Sequence, residues 1–244
     1  MDDTSSTAAI ILAAGSSSRM GNGRHKLLLM LDERTVLAHV IEAALASQAR
    51  PIVVILGHEA WKVRAVVAAY MAQQDITVVE NPDYLLGMST SMRVGVATLL
   101  EGKSAKVGQR MGQDEDKEKR QGEQSHFNVD SALIMLGDQP LITAQVIDLL
   151  ISARKTSGKP IVASLYDGKR GSPTLFAASL FAELMEVSGD EGGRTVLERH
   201  REEVEFVELG DVVASYDVDT WEAYLQVVEA WQKKKASEPK TGNE

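Results

Sequence analysis

The chain has 244 residues, 44% of them apolar, which is enough to fill the core of one α/β domain or of two small ones. It contains no cysteine, so disulfides, thiolate metal sites and thiol nucleophiles are all excluded. A formal charge of −9 argues against bulk nucleic-acid binding but leaves room for a small anion in a locally basic pocket.

The start of the chain, Met1-Asp2-Asp3-Thr4, is acidic, and the apolar stretch from Ala8 stops by Gly15, unlike a signal peptide. No window approaches the length of a membrane span, and the expectation is a soluble, cytoplasmic protein that binds neither nucleic acid nor membrane. Residues 9–13 read as a first strand. It empties into the small-residue loop Ala14-Gly15-Ser16-Ser17-Ser18, followed by Arg19 and then Lys26. Backbone N–H groups in such a loop can approach an anion, which the two cations can neutralise; the same composition also serves as a plain turn from strand to helix.

Residues 35–49 read as a helix, 52–56 as a β-rich run opened by Pro51, 59–71 as a helix and 76–79 as a short strand. Asn81-Pro82-Asp83 and Gly87-Met88-Ser89-Thr90-Ser91 follow that strand and precede a helix over 89–100. Their hydroxyls and the helix N-terminus suit a base, ribose or phosphate. Residues 101–124 are Glu, Lys, Gln, Gly and Arg with almost nothing to bury. The segment is an expected disordered insertion, either a solvated excursion or a partner-docking arm.

Ala132-Leu133-Ile134-Met135-Leu136 is a buried strand that ends in Gly137-Asp138-Gln139-Pro140. A carboxylate at the carboxyl edge of an α/β sheet can hold Mg²⁺ against phosphate oxygens, or can merely cap a turn. Thr143 is a natural N-cap for a helix reaching residue 154, and 161–163 is a further strand. These apolar runs are continuous rather than alternating, which predicts a parallel sheet covered on both faces, a doubly wound α/β fold.

The second half departs from simple β-α repetition. Gly168-Lys169-Arg170-Gly171-Ser172-Pro173 leads into Thr174-Leu175-Phe176 and a helix over 178–185. Gly189-Asp190-Glu191-Gly192-Gly193-Arg194 opens another helix through 199, and a strand covers 204–209. Asp217 and Asp219 flank Val218, and in extended chain both share one face and can approach a cation together; Asp219 is equally placed to cap the helix predicted over 221–231. The stripe Trp221, Tyr224, Val228 and Trp231 lies at helical spacing and reads as packing rather than base stacking. The organisation expected is one domain over 1–232, interrupted by the insertion at 101–125, with a frayed polar tail over 233–244.

His25, His39, His58, His126 and His200 are scattered without ligand spacing, and there is no Ser-His-Asp or HExxH signature. The glycine-rich loop matches neither GxxxxGK[ST] nor GxGxxG, which weakens ATPase and dehydrogenase readings.

Six motifs in order share a wider pattern: Leu12-Ala13-Ala14-Gly15 with Arg19-Met20-Gly21 and Lys26-Leu27-Leu28; Gly87-Met88-Ser89-Thr90-Ser91; Gly137-Asp138-Gln139-Pro140; Gly171-Ser172-Pro173-Thr174-Leu175-Phe176; Gly189-Asp190-Glu191-Gly192; and Asp217-Val218-Asp219-Thr220. Together they cover residues 9–231 and resemble the MobA-like nucleotidyltransferases, in particular the molybdenum cofactor cytidylyltransferase branch. The resemblance implies a three-layer Rossmann-like fold with a mostly parallel central sheet. It also implies transfer of CMP from CTP to the terminal phosphate of a molybdopterin-type cofactor, with release of pyrophosphate. Leu12, Ala13, Ala14, Gly15 and Ser16 would cradle the nucleotide, and Asn81, Ser89, Ser91 and Gly137 would line its site. Arg19 and Lys26 would contact phosphates, Asp138 and Asp219 would bind Mg²⁺ or Mn²⁺, and Arg19, Lys26 and Asp138 would carry catalysis. Gly171 and Pro173 belong to the region that admits the pterin phosphate, and Ala14 favours CTP over GTP.

Such proteins hand their product to a molybdenum hydroxylase or its maturation chaperone. The gap Met20-Gly21-Asn22-Gly23-Arg24-His25-Lys26 is longer than usual, which leaves Arg24 as a second cation for the lysine's role. The rivals are the same chemistry with GTP or with a sugar or polyol phosphate acceptor, and a non-catalytic cofactor carrier.

Overall fold

The uninterrupted apolar runs become the middle of one seven-stranded sheet. The structure is a computed structural model and describes residues 6–72, 75–102, 128–210 and 215–237. In chain order the strands are β1 (Ser6–Ala13), β2 (Met30–Leu31), β3 (Arg34–Thr35), β4 (Ile52–Leu56), β5 (Ile76–Glu80), β6 (Val129–Leu136), β7 (Ile161–Tyr166), β8 (Lys169–Ala177) and β9 (Val204–Glu208). The helices are α1 (Val36–Ala46), α2 (Ala60–Ala68), α3 (Met88–Glu101), α4 (Ala144–Ser157), α5 (Phe181–Glu186), α6 (Arg194–Arg199) and α7 (Trp221–Ser237).

The large sheet runs β5-β4-β1-β6-β8-β7-β9, and β2 pairs with β3 in a small hairpin beside it. Pairings β1–β4, β4–β5, β1–β6 and β7–β9 are parallel, while β8 runs antiparallel to both β6 and β7. The reversed strand has a local cause. Asp167 and Gly168 both take positive φ, 50° and 73°, so they form the two-residue turn that matches strand twist and folds β8 straight back on β7.

Side chains alternate across β1 and divide the core into two layers. Ala9, Ile11 and Ala13 pack with Leu37, Val40 and Ile41 of α1 and Ile147 and Leu150 of α4. Ala8, Ile10 and Leu12 face Met92 and Val96 of α3 and Phe181 and Leu184 of α5. Each fully buried Val, Leu, Ile or Met side chain among these contributes about 1.5–3 kcal/mol. The approach of α3 is close enough that a Cβ on Gly95 would fall 2.4 Å from Cγ2 of Ile10.

The helix ends follow capping chemistry. Thr35 and Thr143 accept from the backbone N–H groups of Ala38 (3.3 Å) and Val146 (3.4 Å) at the starts of α1 and α4. Helix α1 stops at Ala46, short of the expected residue 49, where the Arg50 guanidinium collects the carbonyls of Ala44, Leu45 and Ser47.

The Trp221 stripe packs, as its spacing predicts, in a third cluster with Met20, Leu31 and Val218, and the Tyr224 hydroxyl donates to the Met30 carbonyl at 2.6 Å. Helix α7 continues to Ser237, beyond the expected 231, supported by a Glu229–Lys233 pair at 2.6 Å and a Lys235–Asp32 pair at 2.5 Å. The expected tail therefore overlaps this helix over 233–237, and its remainder lies outside the described residues. So does the expected insertion, apart from residues 101 and 102 at the end of α3. Among the described residues, no helix is long and apolar enough to cross a membrane.

Candidate active site

The carboxyl ends of β1 and β6 lie side by side, and a backbone bond from Gly137 N–H to the Leu12 carbonyl (2.9 Å) ties them together. From that junction the chain continues on one side into the loop of residues 14–18 and on the other into Asp138. Ser17 sits at φ 54°, and its Oγ accepts from the backbone N–H of Lys26 at 3.1 Å, which pins the turn that presents the lysine. The third wall comes from far along the chain. Val218 is fully buried and its N–H donates to the Asp138 carbonyl at 3.0 Å, so Asp217 and Asp219, two residues apart, both face the cleft. Thr220, not Asp219, caps α7 by accepting from Ala223 N–H at 3.1 Å, which leaves the Asp219 carboxylate for the cleft.

These elements enclose a cleft of about 510 Å³. Of the residues singled out from the sequence, Leu12, Ala13, Ala14, Gly15, Ser16, Arg19, Lys26, Ser91, Asp138 and Asp219 line it. Lys26 Nζ donates to Asp138 and, at 2.7 Å, to Asp219, whose second oxygen pairs with Arg19 at 2.7 Å. Burial alone would lower the Lys26 pKa, but the facing Asp138 and Asp219 outweigh it and hold the ammonium above its usual range. Asp217 is pushed up to about 6, first by burial and then by the neighbouring Asp138 and Asp219, against a hydrogen bond from Gln139 at 2.6 Å.

Other sequence-derived residues stand outside this lining. Asn81 is buried and donates to the hydroxyls of Thr90 (2.8 Å) and Ser91 (2.9 Å) while accepting from Asp83 N–H (2.9 Å). It anchors the first turn of α3 and so holds Ser91 at the cleft. Ser89 is wholly buried in that turn, and Gly137 acts through its backbone bond. Arg24 does not share the lysine's place; its guanidinium lies 4.3 Å over the Trp221 ring.

Gly171 lines a second cavity of about 500 Å³ that meets the first at Met88 and Leu136. Ile134, Phe176 and Leu197 form apolar walls there, with Lys169, Arg170 and Arg194 also lining it. Pro173 is buried beside it, its carbonyl accepting from Ser164 Oγ at 2.7 Å. Tyr84 and Leu85 line the first cleft although no motif or periodicity marked them, and Asp190 joins them from the glycine-rich segment of the second half.

The donor set fits a hard divalent cation. Among the described residues no group of three or more His, Asp or Glu is arranged to hold a metal. Two carboxylates, Asp138 and Asp219, instead converge on a single cationic atom, Lys26 Nζ. Mg²⁺ is commonly held in this way, by one or two carboxylates completed by substrate phosphates rather than by an all-protein cage.

The sequence model of the MobA-like NTP transferase domain matches residues 9–204, which include the loop, Lys26 and Asp138. The chain belongs to this family. The MobA-like chain is 37% identical to the molybdenum cofactor cytidylyltransferase of Escherichia coli (strain K12) over 87 residues, 36% of this chain and 42% of that protein. It is 28% identical to the bifunctional protein GlmU of Anaeromyxobacter sp. (strain K) over 149 residues, 61% of this chain. The match spans only 25% of that relative's length. Among solved structures, that of Rv0371c from Mycobacterium tuberculosis H37Rv in complex with manganese superposes with a TM-score of 0.66 at 25% identity. It covers 92% of this chain and 98% of that one. The nucleotidyl transferase of Methanothermobacter thermautotroptrophicus (Mth528) shares the fold at a TM-score of 0.71 and 18% identity over 94% of this chain and 99% of that one, so the α/β architecture with its mostly parallel seven-stranded sheet is the one the motifs imply.

Proposed function

We propose that this MobA-like domain transfers CMP from CTP to the terminal phosphate of a molybdopterin-type cofactor and releases pyrophosphate. The observation that carries the reading is the meeting of Arg19, Lys26, Asp138 and Asp219 in one cleft at the ends of β1 and β6. The cytidylyltransferase named among the relatives supports the choice of reaction. Ala14 supports CTP through the family resemblance.

In this mechanism the N–H groups of the 14–18 loop, with Arg19 and Lys26, bind and orient the triphosphate. A phosphate oxygen of the acceptor attacks the α-phosphorus in line, a new P–O bond forms, and the bond to the bridging oxygen of the β-phosphate breaks. The acceptor oxygen is already ionised near neutral pH, so no side chain has to take a proton. The residues' work is positioning and charge compensation. Asp138 and Asp219 would hold Mg²⁺ or Mn²⁺, which supplies Lewis-acid stabilisation of the phosphate oxygens when bound. The second cavity suits the acceptor, with apolar walls for a flat body and Lys169, Arg170 and Arg194 for its anionic end. A molybdenum hydroxylase or its maturation chaperone receives the product.

The test is incubation with each of the four NTPs, Mg²⁺ and molybdopterin cofactor, followed by mass analysis. CMP addition alone supports the whole reading. GMP addition moves the donor, and no adduct with any NTP favours a carrier over an enzyme.

A further inference from the structure

The cleft contains an internal conflict of roles. Lys26 Nζ is bound to both Asp138 and Asp219 and the Arg19 guanidinium to Asp219, yet the proposed chemistry needs the same cations on phosphates and the same carboxylates on a metal. The Lys26 and Asp138 side chains are only 13% and 11% exposed, so water does little to neutralise either once the pair is broken. An ammonium has three N–H donors, and two of those on Lys26 are taken by the carboxylates.

We propose that Lys26, assisted by Arg19, is a built-in counter-ion that a divalent cation displaces from Asp138 and Asp219. The displaced cations are then available to the triphosphate. Metal and nucleotide therefore load together, and metal alone binds poorly because it competes with a tethered positive charge. Moving the lysine requires little rearrangement. Its backbone stays fixed by Ser17, and its chain already passes beneath the phosphate loop: a Cβ on Gly15 would stand 3.7 Å from Lys26 Cε and 3.9 Å from Nζ. Only the outer bonds of the side chain have to turn for Nζ to exchange carboxylate for phosphate. A purely structural ion pair explains the contacts but assigns no consequence to metal binding.

The inference rests on the metal reading of Asp138 and Asp219, and the experiment separates the two. Mn²⁺ binding to the full chain is measured without nucleotide by the electron paramagnetic resonance of the free ion, for wild type, K26Q, R19Q and D138N. Removing the competing cation is expected to tighten Mn²⁺ binding by about tenfold in K26Q and by about threefold in R19Q. CTP is expected to tighten Mn²⁺ binding in wild type and to do so less in K26Q. Arg19 has a side chain 70% exposed, so R19Q keeps the test open if K26Q does not fold. Equal or weaker Mn²⁺ binding in both variants overturns the counter-ion role while leaving the metal site standing. Unchanged Mn²⁺ binding in D138N, or no binding in any form with or without CTP, removes the metal site and the inference with it.

Discussion

The two cavities meet at Met88 and Leu136 but are built on opposite principles. The first sits where parallel strands end, and its wall carries carboxylates and cations already matched to one another. The second lies against the antiparallel β8, with apolar walls of Ile134, Phe176 and Leu197 beside Lys169, Arg170, Glu191 and Arg194, and of these Arg170 is paired with Glu198 at 2.5 Å. A matched set of opposite charges selects a ligand by its charge pattern, because anything that enters must replace an internal partner. Apolar walls instead select by shape, with the charge only orienting the guest.

The sharpest way to break this contrast is to remove a carboxylate from the first cavity. Asp138→Ala is expected to lower kcat by about 10³-fold or more while far-UV circular dichroism stays native, and near-normal turnover at saturating Mg²⁺ would end its assigned role. Lys26→Gln should reduce kcat/KM for CTP by about 10²-fold. Arg24→Gln, made a short way upstream, should leave those kinetics within about twofold and cost about 0.5–1 kcal/mol in urea unfolding through its lost stacking on Trp221. The second cavity should respond differently. Arg194→Gln is expected to raise KM for the acceptor by about five- to tenfold with KM for CTP unchanged; steady-state kinetics with each substrate varied will show whether the two sites are separable.

The smallest expected effect concerns the frame of the second cavity. His200 hydrogen-bonds Glu203 and Glu183, both at 2.8 Å, and these carboxylates raise its pKa above 6.5. A raised folded pKa stabilises the protein fully below the unfolded value, and that stabilisation is lost as pH rises through the folded one. Wild type should therefore exceed His200→Gln by under about 1 kcal/mol at low pH. Urea titrations between about pH 5.5 and pH 8.5 should show the gap closing as pH rises.

What could be read from the chain alone follows the same division. The loop after β1, the acidic end of β6 and the Thr143 cap are local patterns, in which neighbouring residues carry the physics. The turn at Asp167-Gly168 that reverses β8 drew no reading from the sequence, and the pairing of β8 with β6 joins residues far apart in the chain. Asn81 could not be assigned from its type, because a polar residue at a strand end serves equally well as ligand or anchor; only the distances to Thr90 and Ser91 show the anchoring. Tyr84 and Leu85 carry no pattern, and their place at the cleft comes from the path between β5 and α3. The opening loop, read alone, allowed only an anion cradle or a plain turn; the acidic wall that gives it a chemical role comes from elsewhere in the chain.

The bond from Val218 to Asp138 has a consequence for the protein's synthesis. A ribosome releases Asp219 about 80 residues after Asp138, roughly 4–16 s later at 5–20 residues per second. Until then the nascent chain has the loop of residues 14–18 facing an unfinished acidic wall. The cleft is closed by the segment that leads into α7, so a half-made chain cannot assemble the full charge pattern of this cleft.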